Sequence, residues 1–425
     1  MKTAVVAQSA IKGSVLIPAS KSHSQRLLFM SLLYPGKLRL RGMGQSEDES
    51  NVLRIIQELG SLVEQYAEGD ILITGRFNQD LLHSIDCGES GLAARMFSCL
   101  AGWSNREVTV TGKRSLMNRD MRSLKTILNT CGVSCLLNED RLPVQIKGPF
   151  ILNEQLNINA GDTSQTLSGL LMLLGSFWSK PLQIEVSGLP SKPYIDLTLE
   201  VLQQFGCRIN HVDYRVFELL PREMDVLPDL DITVESDWSS AAFLLVAAAI
   251  KGEVICEGLQ INSSQADRVI VEILRSAGAT VELEAKGLRV AAAGTPMAFR
   301  ANLKDSPDLF PPLAILAAFS SGLSRLEGVS RLRTKESDRS VSIAALLAKM
   351  QIEYEICDDI LLIHGGVPKG GEVQVFRDHR IAMAAAVAGC FTQEPMIIPD
   401  AEVVAKSYPD FFDHMKLLGA SVTLN

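Results

Sequence analysis

One local pattern recurs six times along the chain at intervals of roughly 70 residues, and a repeat that fills a whole sequence dictates its architecture. In each copy a helix-like run ends in an apolar residue, then Gly, then a strand-like stretch: ELGSLV at Gly60, TCGVSC at Gly132, QFGCRI at Gly206, SAGATV at Gly278 and LLGASV at Gly419. The remaining copy, KMQIEY, has Gln351 in place of the glycine. Gly just past a helix takes left-handed backbone without a Cβ penalty, so each marks a helix stop.

A second pattern keeps the same beat half a repeat out of phase. Polar clusters run into small-residue apolar helices: SKSHSQRLLFMSLL from Ser20, GESGLAARMFSCLAG from Gly88, DTSQTLSGLLMLLG from Asp162, SDWSSAAFLLVAAA from Ser236, SPDLFPPLAILAAF from Ser306 and DHRIAMAAAVAG from Asp378. Helices apolar on nearly every face must be buried, and the Ser, Asp and Thr at their starts read as N-caps. Between them lie short β-type runs, such as VTVTG at Val108, LQIEVSG at Leu182 and LDITVES at Leu230. Each module therefore holds two helices and several strands, and six modules divide naturally as three and three.

Composition removes several classes. The chain has 425 residues, 47% hydrophobic and 21% charged, which is ordinary for a globular protein with ample core. Its longest apolar runs, as from Ala241, are about half the length a bilayer crossing needs. The opening MKTAVVAQSAIKG is interrupted by polar residues and reads as a first strand, not a leader. Eight scattered cysteines form no framework and are expected to be reduced core thiols in a cytoplasmic protein. A net charge of −8 argues against nonspecific nucleic-acid binding.

Against that acidic background the helix starts are locally basic: Lys21 and Arg26; Arg119 and Arg122; Lys192; Lys335 and Arg339; His379 and Arg380; Lys406. A helix N-terminus already attracts anions, so cations placed there cost stability unless an anion offsets them. Two such faces meeting would enclose a positive cleft for ligands carrying phosphate and carboxylate, open when empty and closed around the first anion. Small-angle scattering should then show compaction on ligand addition; unchanged dimensions would count against it.

Asp308, Glu336 and Asp378 sit among these cations as candidate proton-transfer groups. Asp338 could equally cap a helix, and Asp378 could orient His379 or Arg380. The six histidines are dispersed without metal-ligand spacing, and no Walker or dinucleotide glycine motif is present, so neither metal nor cofactor is expected.

At these residues the chain resembles the 3-phosphoshikimate 1-carboxyvinyltransferase family of enolpyruvyl transferases. The resemblance rests on SKSHSQR at Ser20, MNRDMRSL at Met117, TSQ at Thr163, SKPYIDLT at Ser191, SDWSSAA at Ser236, PDLFP at Pro307, LRTKESDR at Leu332, DHRIAMA at Asp378 and AKSYPDFF at Ala405. It implies an α/β protein with a two-domain inside-out fold of six repeated βαβαββ units, three per domain. Residues 1–19 and 235–425 would form the first domain and residues 20–234 the second.

It also implies transfer of the enolpyruvyl group of phosphoenolpyruvate to the 5-hydroxyl of shikimate 3-phosphate. The catalytic positions would be Asp308, Glu336, Lys21 and Lys335. Lys21, Ser22, Arg26, Thr163, Ser164, Gln165, Ser191, Asp308, Arg331 and Lys335 would contact shikimate 3-phosphate. Lys21, Gly91, Arg119, Gln165, Arg339, Arg380 and Lys406 would hold phosphoenolpyruvate. The enzyme would be a monomer with no nucleic-acid or membrane partner.

Three departures stand out. Glu89 and Leu92 replace neutral polar residues around Ser90 and Gly91, and Arg331 stands where many members have Asn. Glu89 and Arg331, being opposite in charge, are expected to compensate one another. The sister transferase acting on UDP-N-acetylglucosamine lacks the SKPYID and KESDR patterns.

Overall fold

The computed structural model describes residues 2–66, 69–161, 163–222, 227–333 and 335–425. Asp162 and Thr334, which belong to two of the sequence motifs, lie outside the described residues. The chain forms two compact units, Met1–Pro18 with Glu235–Asn425, and Ala19–Val234.

Each unit is built from three four-stranded sheets of one design. In the sheet made by Ser84–Asp86, Val108–Thr111, Ser134–Asn138 and Arg141–Lys147, the first two strands pair in parallel across a helix, which parallel pairing requires. The last two form a hairpin, and the fourth strand inserts between the second and third. The same spatial order recurs in all six sheets.

Three of the sheets borrow a strand from a distant part of the chain. Leu230–Thr233 is the parallel first strand beside Lys37–Arg41, and Ile11–Leu16 plays that part beside Gly252–Glu257. Ala4–Ala7 fills the fourth place between Met396–Ile398 and Ser421–Leu424. Where the chain leaves and re-enters the first unit, the Asp237 N–H donates to the Pro18 carbonyl at 2.8 Å.

The small-residue helices are the cores. Lys21–Leu33, Gly91–Ala101 and Ser164–Phe177 pack on one another in the Ala19–Val234 unit, and Trp238–Lys251, Phe310–Ala318 and His379–Gly389 do so in the other. Their Ala, Gly and Ser side chains allow close approach, and a helix buried all round must be apolar all round. The second helix of each repeat is amphipathic instead: Arg122–Thr130 buries only Leu124, Ile127 and Leu128.

The repeat-phased stops are left-handed as expected, with φ of +109° at Gly60, +78° at Gly132, +74° at Gly206, +91° at Gly278 and +96° at Gly419. Gln351 holds φ +57° in the same role, so the geometry survives where the glycine does not. Five of the six helix starts are capped by the expected Ser, Thr or Asp: Ser20, Ser90, Thr163, Asp237 and Asp378. Ser306 is the exception. A 3-10 turn, Pro307–Leu309, intervenes before the helix, and the Ser306 hydroxyl donates to the Ala266 carbonyl at 2.9 Å.

Seven cysteines are buried, but Cys357 is exposed, which corrects the expectation that all are core thiols. It falls on the solvent face of the short strand Tyr354–Cys357. No helix among the described residues is long and apolar enough to cross a membrane.

Candidate active site

In the Ala19–Val234 unit, side chains tie the helix starts together. Ser90, the cap of Gly91–Ala101, donates its hydroxyl to Gln25 Oε1 at 2.6 Å in the first turns of Lys21–Leu33. Arg95, buried one turn beyond Gly91, donates Nη1 to the Gly91 carbonyl and to Gln165 Oε1, each at 3.0 Å. Gln165 lies in the first turn of Ser164–Phe177, capped by Thr163, whose Oγ1 accepts from the Gln165 N–H at 3.2 Å. Three helix N-termini are thereby linked, and each contributes free N–H groups and positive potential.

Lys21 is held by Asp48, with Nζ 2.9 Å from Oδ2. Asp48 is buried in the first turn of Glu47–Glu58, where a Ser46–Glu49 capping box fixes the backbone. Arg26 is 1% exposed and bonds only neutral oxygens: Thr198 Oγ1 at 2.9 Å, the Ser22 carbonyl at 2.7 Å and the Tyr194 carbonyl at 3.3 Å. Burial pushes the Arg26 guanidinium down to about 10. Ser191, next to this group, caps Lys192–Gln204 in left-handed backbone at φ +55°, an unfavourable conformation for a residue with a Cβ. Lys192 lies over the Tyr214 ring at 5.3 Å.

Gly91 makes room for Arg119. A Cβ there would lie 2.5 Å from Arg119 Nη1 and 3.1 Å from Arg95 Nη1. Those atoms end flexible side chains, so Gly91→Ala should barely change the melting temperature yet displace Arg119. If Arg119 binds phosphoenolpyruvate, as the resemblance implies, the Michaelis constant for it should rise with a smaller change in turnover; unaltered kinetics would detach Gly91 from the site.

Three residues differ from their expected setting. Arg119 ends the 3-10 turn Arg114–Asn118, Lys406 ends the 3-10 turn Ala401–Lys406, and Lys335 lies in the bend ahead of the Asp338 cap, so none stands at a helix start. Asp120 takes the Arg122 N–H at 2.8 Å and delays one helix, while Pro409 precedes the one that begins at Phe411. Arg331 likewise ends a 3-10 turn, Val329–Leu332. Glu89 has a local partner within its own unit, bonding Arg114 Nη1 at 3.2 Å and Ser115 Oγ at 2.9 Å, and Leu92 joins the core. Arg114 is thus a counter-charge to Glu89 that the sequence reading overlooked.

The other unit holds a dense charged cluster. Arg339, 1% exposed at the start of its helix, donates Nη1 to Asp308 Oδ1 at 2.6 Å, Nη2 to Glu336 Oε2 at 2.5 Å and Nε to Asp378 Oδ2 at 2.8 Å. Arg380 Nη2 reaches the other Asp308 oxygen at 2.9 Å. Lys335 Nζ is 3.6 Å from Asp308, and Lys406 Nζ is 3.8 Å from Glu336.

Burial alone would raise Asp308, but Arg380, Lys335 and Arg339 outweigh it and hold its carboxyl well below the usual range. Lys335 moves down: desolvation dominates over the attraction of Asp308. For Arg339, burial works downward but the three carboxylates hold it well above its ordinary value. The cations around Asp308 favour its carboxylate form, and burial beside it loosens the proton on Lys335.

The structure also separates proton-transfer candidates from caps. Asp338 is a cap, accepting the Ser340 and Val341 N–H groups. Asp378 caps its helix through the Arg380 N–H at 3.0 Å and, fully buried, accepts from Arg339 Nε at 2.8 Å. Asp308 and Glu336 are the N-cap of no helix among the described residues, and both face guanidinium groups. Among the described residues, no group of three or more His, Cys, Asp or Glu is placed to hold a metal ion.

Sequence reasoning missed Asp48, Arg95 and Thr198. Arg95 was the most accessible of these, being a lone cation inside the otherwise apolar GLAARMFSCLAG run.

Comparison with known proteins agrees along the whole chain. A family model described as EPSP synthase (3-phosphoshikimate 1-carboxyvinyltransferase) matches residues 5–415. The 3-phosphoshikimate 1-carboxyvinyltransferase of Aeropyrum pernix is 36% identical over 421 residues, covering 98% of this chain and 96% of that protein. Its counterpart in Methanopyrus kandleri is 35% identical over 423 residues, covering 97% of each. Among solved structures, EPSP synthase from Acinetobacter baumannii superposes with a TM-score of 0.82 at 26% identity, covering 100% of both chains. The enolpyruvyl transferase NikO from Streptomyces tendae shares the fold, with a TM-score of 0.76 at 14% identity over 100% of this chain and 98% of that one. Six equivalent sheets, two sets of basic helix starts and a match from residue 5 to residue 415 converge on one conclusion: the chain belongs to the EPSP synthase (3-phosphoshikimate 1-carboxyvinyltransferase) family.

Proposed function

We propose that this protein joins phosphoenolpyruvate to shikimate 3-phosphate, forming an enolpyruvyl ether on the 5-hydroxyl and releasing inorganic phosphate, a step toward chorismate and the aromatic amino acids. The observation that carries this reading is Asp308, kept ionised by three cations in a chain of this family.

The reaction is an addition followed by an elimination. The 5-hydroxyl oxygen bonds to C2 of phosphoenolpyruvate as its proton goes to Asp308, whose oxygens retain lone pairs beyond those used by Arg339 and Arg380. Glu336 delivers a proton to the methylene carbon, giving a tetrahedral intermediate with a methyl group. Glu336 then takes a proton back from that methyl while the C2–O bond to phosphate breaks, and the departing phosphate carries off the proton that Asp308 had accepted, restoring its carboxylate. Lys335 steadies the charge on Asp308 during transfer.

Lys21, Ser22, Arg26, Thr163, Ser164, Gln165 and Ser191, with Lys335, hold shikimate 3-phosphate in this proposal, and Arg331 adds a cation for it. Lys21, Gly91, Arg119, Gln165, Arg339, Arg380 and Lys406 hold phosphoenolpyruvate. Cations are needed because two multiply charged anions would otherwise repel strongly at bonding distance. The Met1–19 strands with 235–425 and the 20–234 stretch act as two domains of a cytoplasmic monomer that uses no metal or cofactor.

A phosphate-release assay tests the reading directly. Phosphate should appear only when both substrates are present. Release with UDP-N-acetylglucosamine in place of shikimate 3-phosphate, or none with the expected pair, would overturn it.

A further inference from the structure

Asp267 has no role in the reading above, yet it is built into the same charged cluster. It lies in the 3-10 turn Ala266–Val269, is 1% exposed, and its Oδ2 accepts a hydrogen bond from Ser239 Oγ. Its Oδ1 is buried with no hydrogen-bond partner. Arg380 is similarly divided: Nη2 bonds Asp308, while Nη1 is buried without a partner. Leaving a buried ionised oxygen bare is costly, and gaining a proton removes that cost.

Three charged groups face Asp267 from the elements packed around it. Asp308 comes from the Pro307–Leu309 turn, Arg380 from the His379–Gly389 helix and Asp237 from the cap of Trp238–Lys251. The only charged neighbour on its own turn is Arg268. The bond from Ser306 to the Ala266 carbonyl fastens the Asp267 turn to the one carrying Asp308, so the two acids cannot easily move apart. Burial first, and then Asp308, push the Asp267 carboxyl up to about 7, against the opposing pull of Arg380 and Ser239.

We propose that Asp267 is a proton-linked positioning residue, completing its protonation from solvent when an anionic substrate binds at Arg380. The neutral acid stops competing with substrate for the Arg380 charge and stops repelling Asp308, which therefore stays ionised to accept the hydroxyl proton. A substrate anion adds to the negative potential that already favours the protonated form, so binding and protonation reinforce each other. The inference rests on the functional reading above, because it needs phosphoenolpyruvate at Arg380.

The test compares wild type, Asp267→Asn and Ser239→Ala. Michaelis constants for phosphoenolpyruvate are measured from pH 6.5 to 8.5, and the protons taken up on binding are counted by calorimetry in two buffers of different ionisation enthalpy. In wild type the constant should rise by roughly threefold or more across that range, beyond what Asp267→Asn shows. Asp267→Asn should flatten this part of the profile and bind with less proton uptake near neutral pH. Ser239→Ala removes a donor to the charged form, so its limb should shift to higher pH. It also decides the matter if the Asn variant fails to fold. Identical pH slopes and proton counts in wild type and Asp267→Asn, or an unshifted limb in Ser239→Ala, would overturn the proposal. Wild-type phosphate release in the same series tests the functional reading separately.

Discussion

Asp308→Asn should lower turnover by roughly a hundredfold or more while leaving the Michaelis constant for phosphoenolpyruvate unchanged or reduced. The amide keeps the size of the side chain but cannot take the hydroxyl proton, and that deficit is felt chiefly in the transition state. Removing a negative charge also frees Arg339, Arg380 and Lys335 for an anionic substrate, which is why binding should not suffer. Glu336→Gln should show the same pattern, since Glu336 bonds Arg339 and caps no helix. Steady-state kinetics decide the matter: raised Michaelis constants with near-normal turnover would make both residues binding groups.

Arg339→Met should destabilise the unit that contains it by about 3–5 kcal/mol, the usual cost of removing one partner from a buried ion network. The guanidinium satisfies Asp308, Glu336 and Asp378 at once, and Met would leave all three carboxylates facing one another around an apolar side chain. Asp378 is 0% exposed and has little access to water in compensation. A fall in melting temperature on the order of 10 °C is expected by calorimetry. It should partly reverse in acid, where protonation relieves the repulsion. An unchanged melting temperature would mean that the network contributes geometry and no stability. Arg339→Lys should fall short of rescue, because an ammonium cannot place three donors in one plane.

The repeat, the helix stops and the buried helices were legible because each is local. Period-70 glycines, small-residue runs and capping hydroxyls act within a few residues of where they stand, and even Gln351 keeps its left-handed backbone when the glycine is gone. The positions that carry chemistry were legible for a different reason. Basic residues repeatedly placed beside helix N-termini are unfavourable without an anion, so their phase pointed to ligands. That argument overreached at Arg119, Lys335 and Lys406, which lie ahead of helices that begin at Arg122, Arg339 and Phe411.

Pairing was beyond local reasoning. Nothing near Lys21 specifies Asp48 as its partner, and nothing in RDHR indicates that Asp378 orients Arg339 from 39 residues away. Asp267 in QADRV looks like any surface acid until the fold buries it against Ser239 and next to Asp308. Periodicity and capping are set by neighbours in sequence, so the sequence alone determined the elements, their repetition and the residue types at their ends. Which strands complete which sheets, as when Leu230–Thr233 joins Lys37–Arg41, and which charges are desolvated together depend on contacts between segments far apart in the chain. Only the tertiary structure decides those, because burial is what turns an ordinary Asp or Arg into a perturbed one.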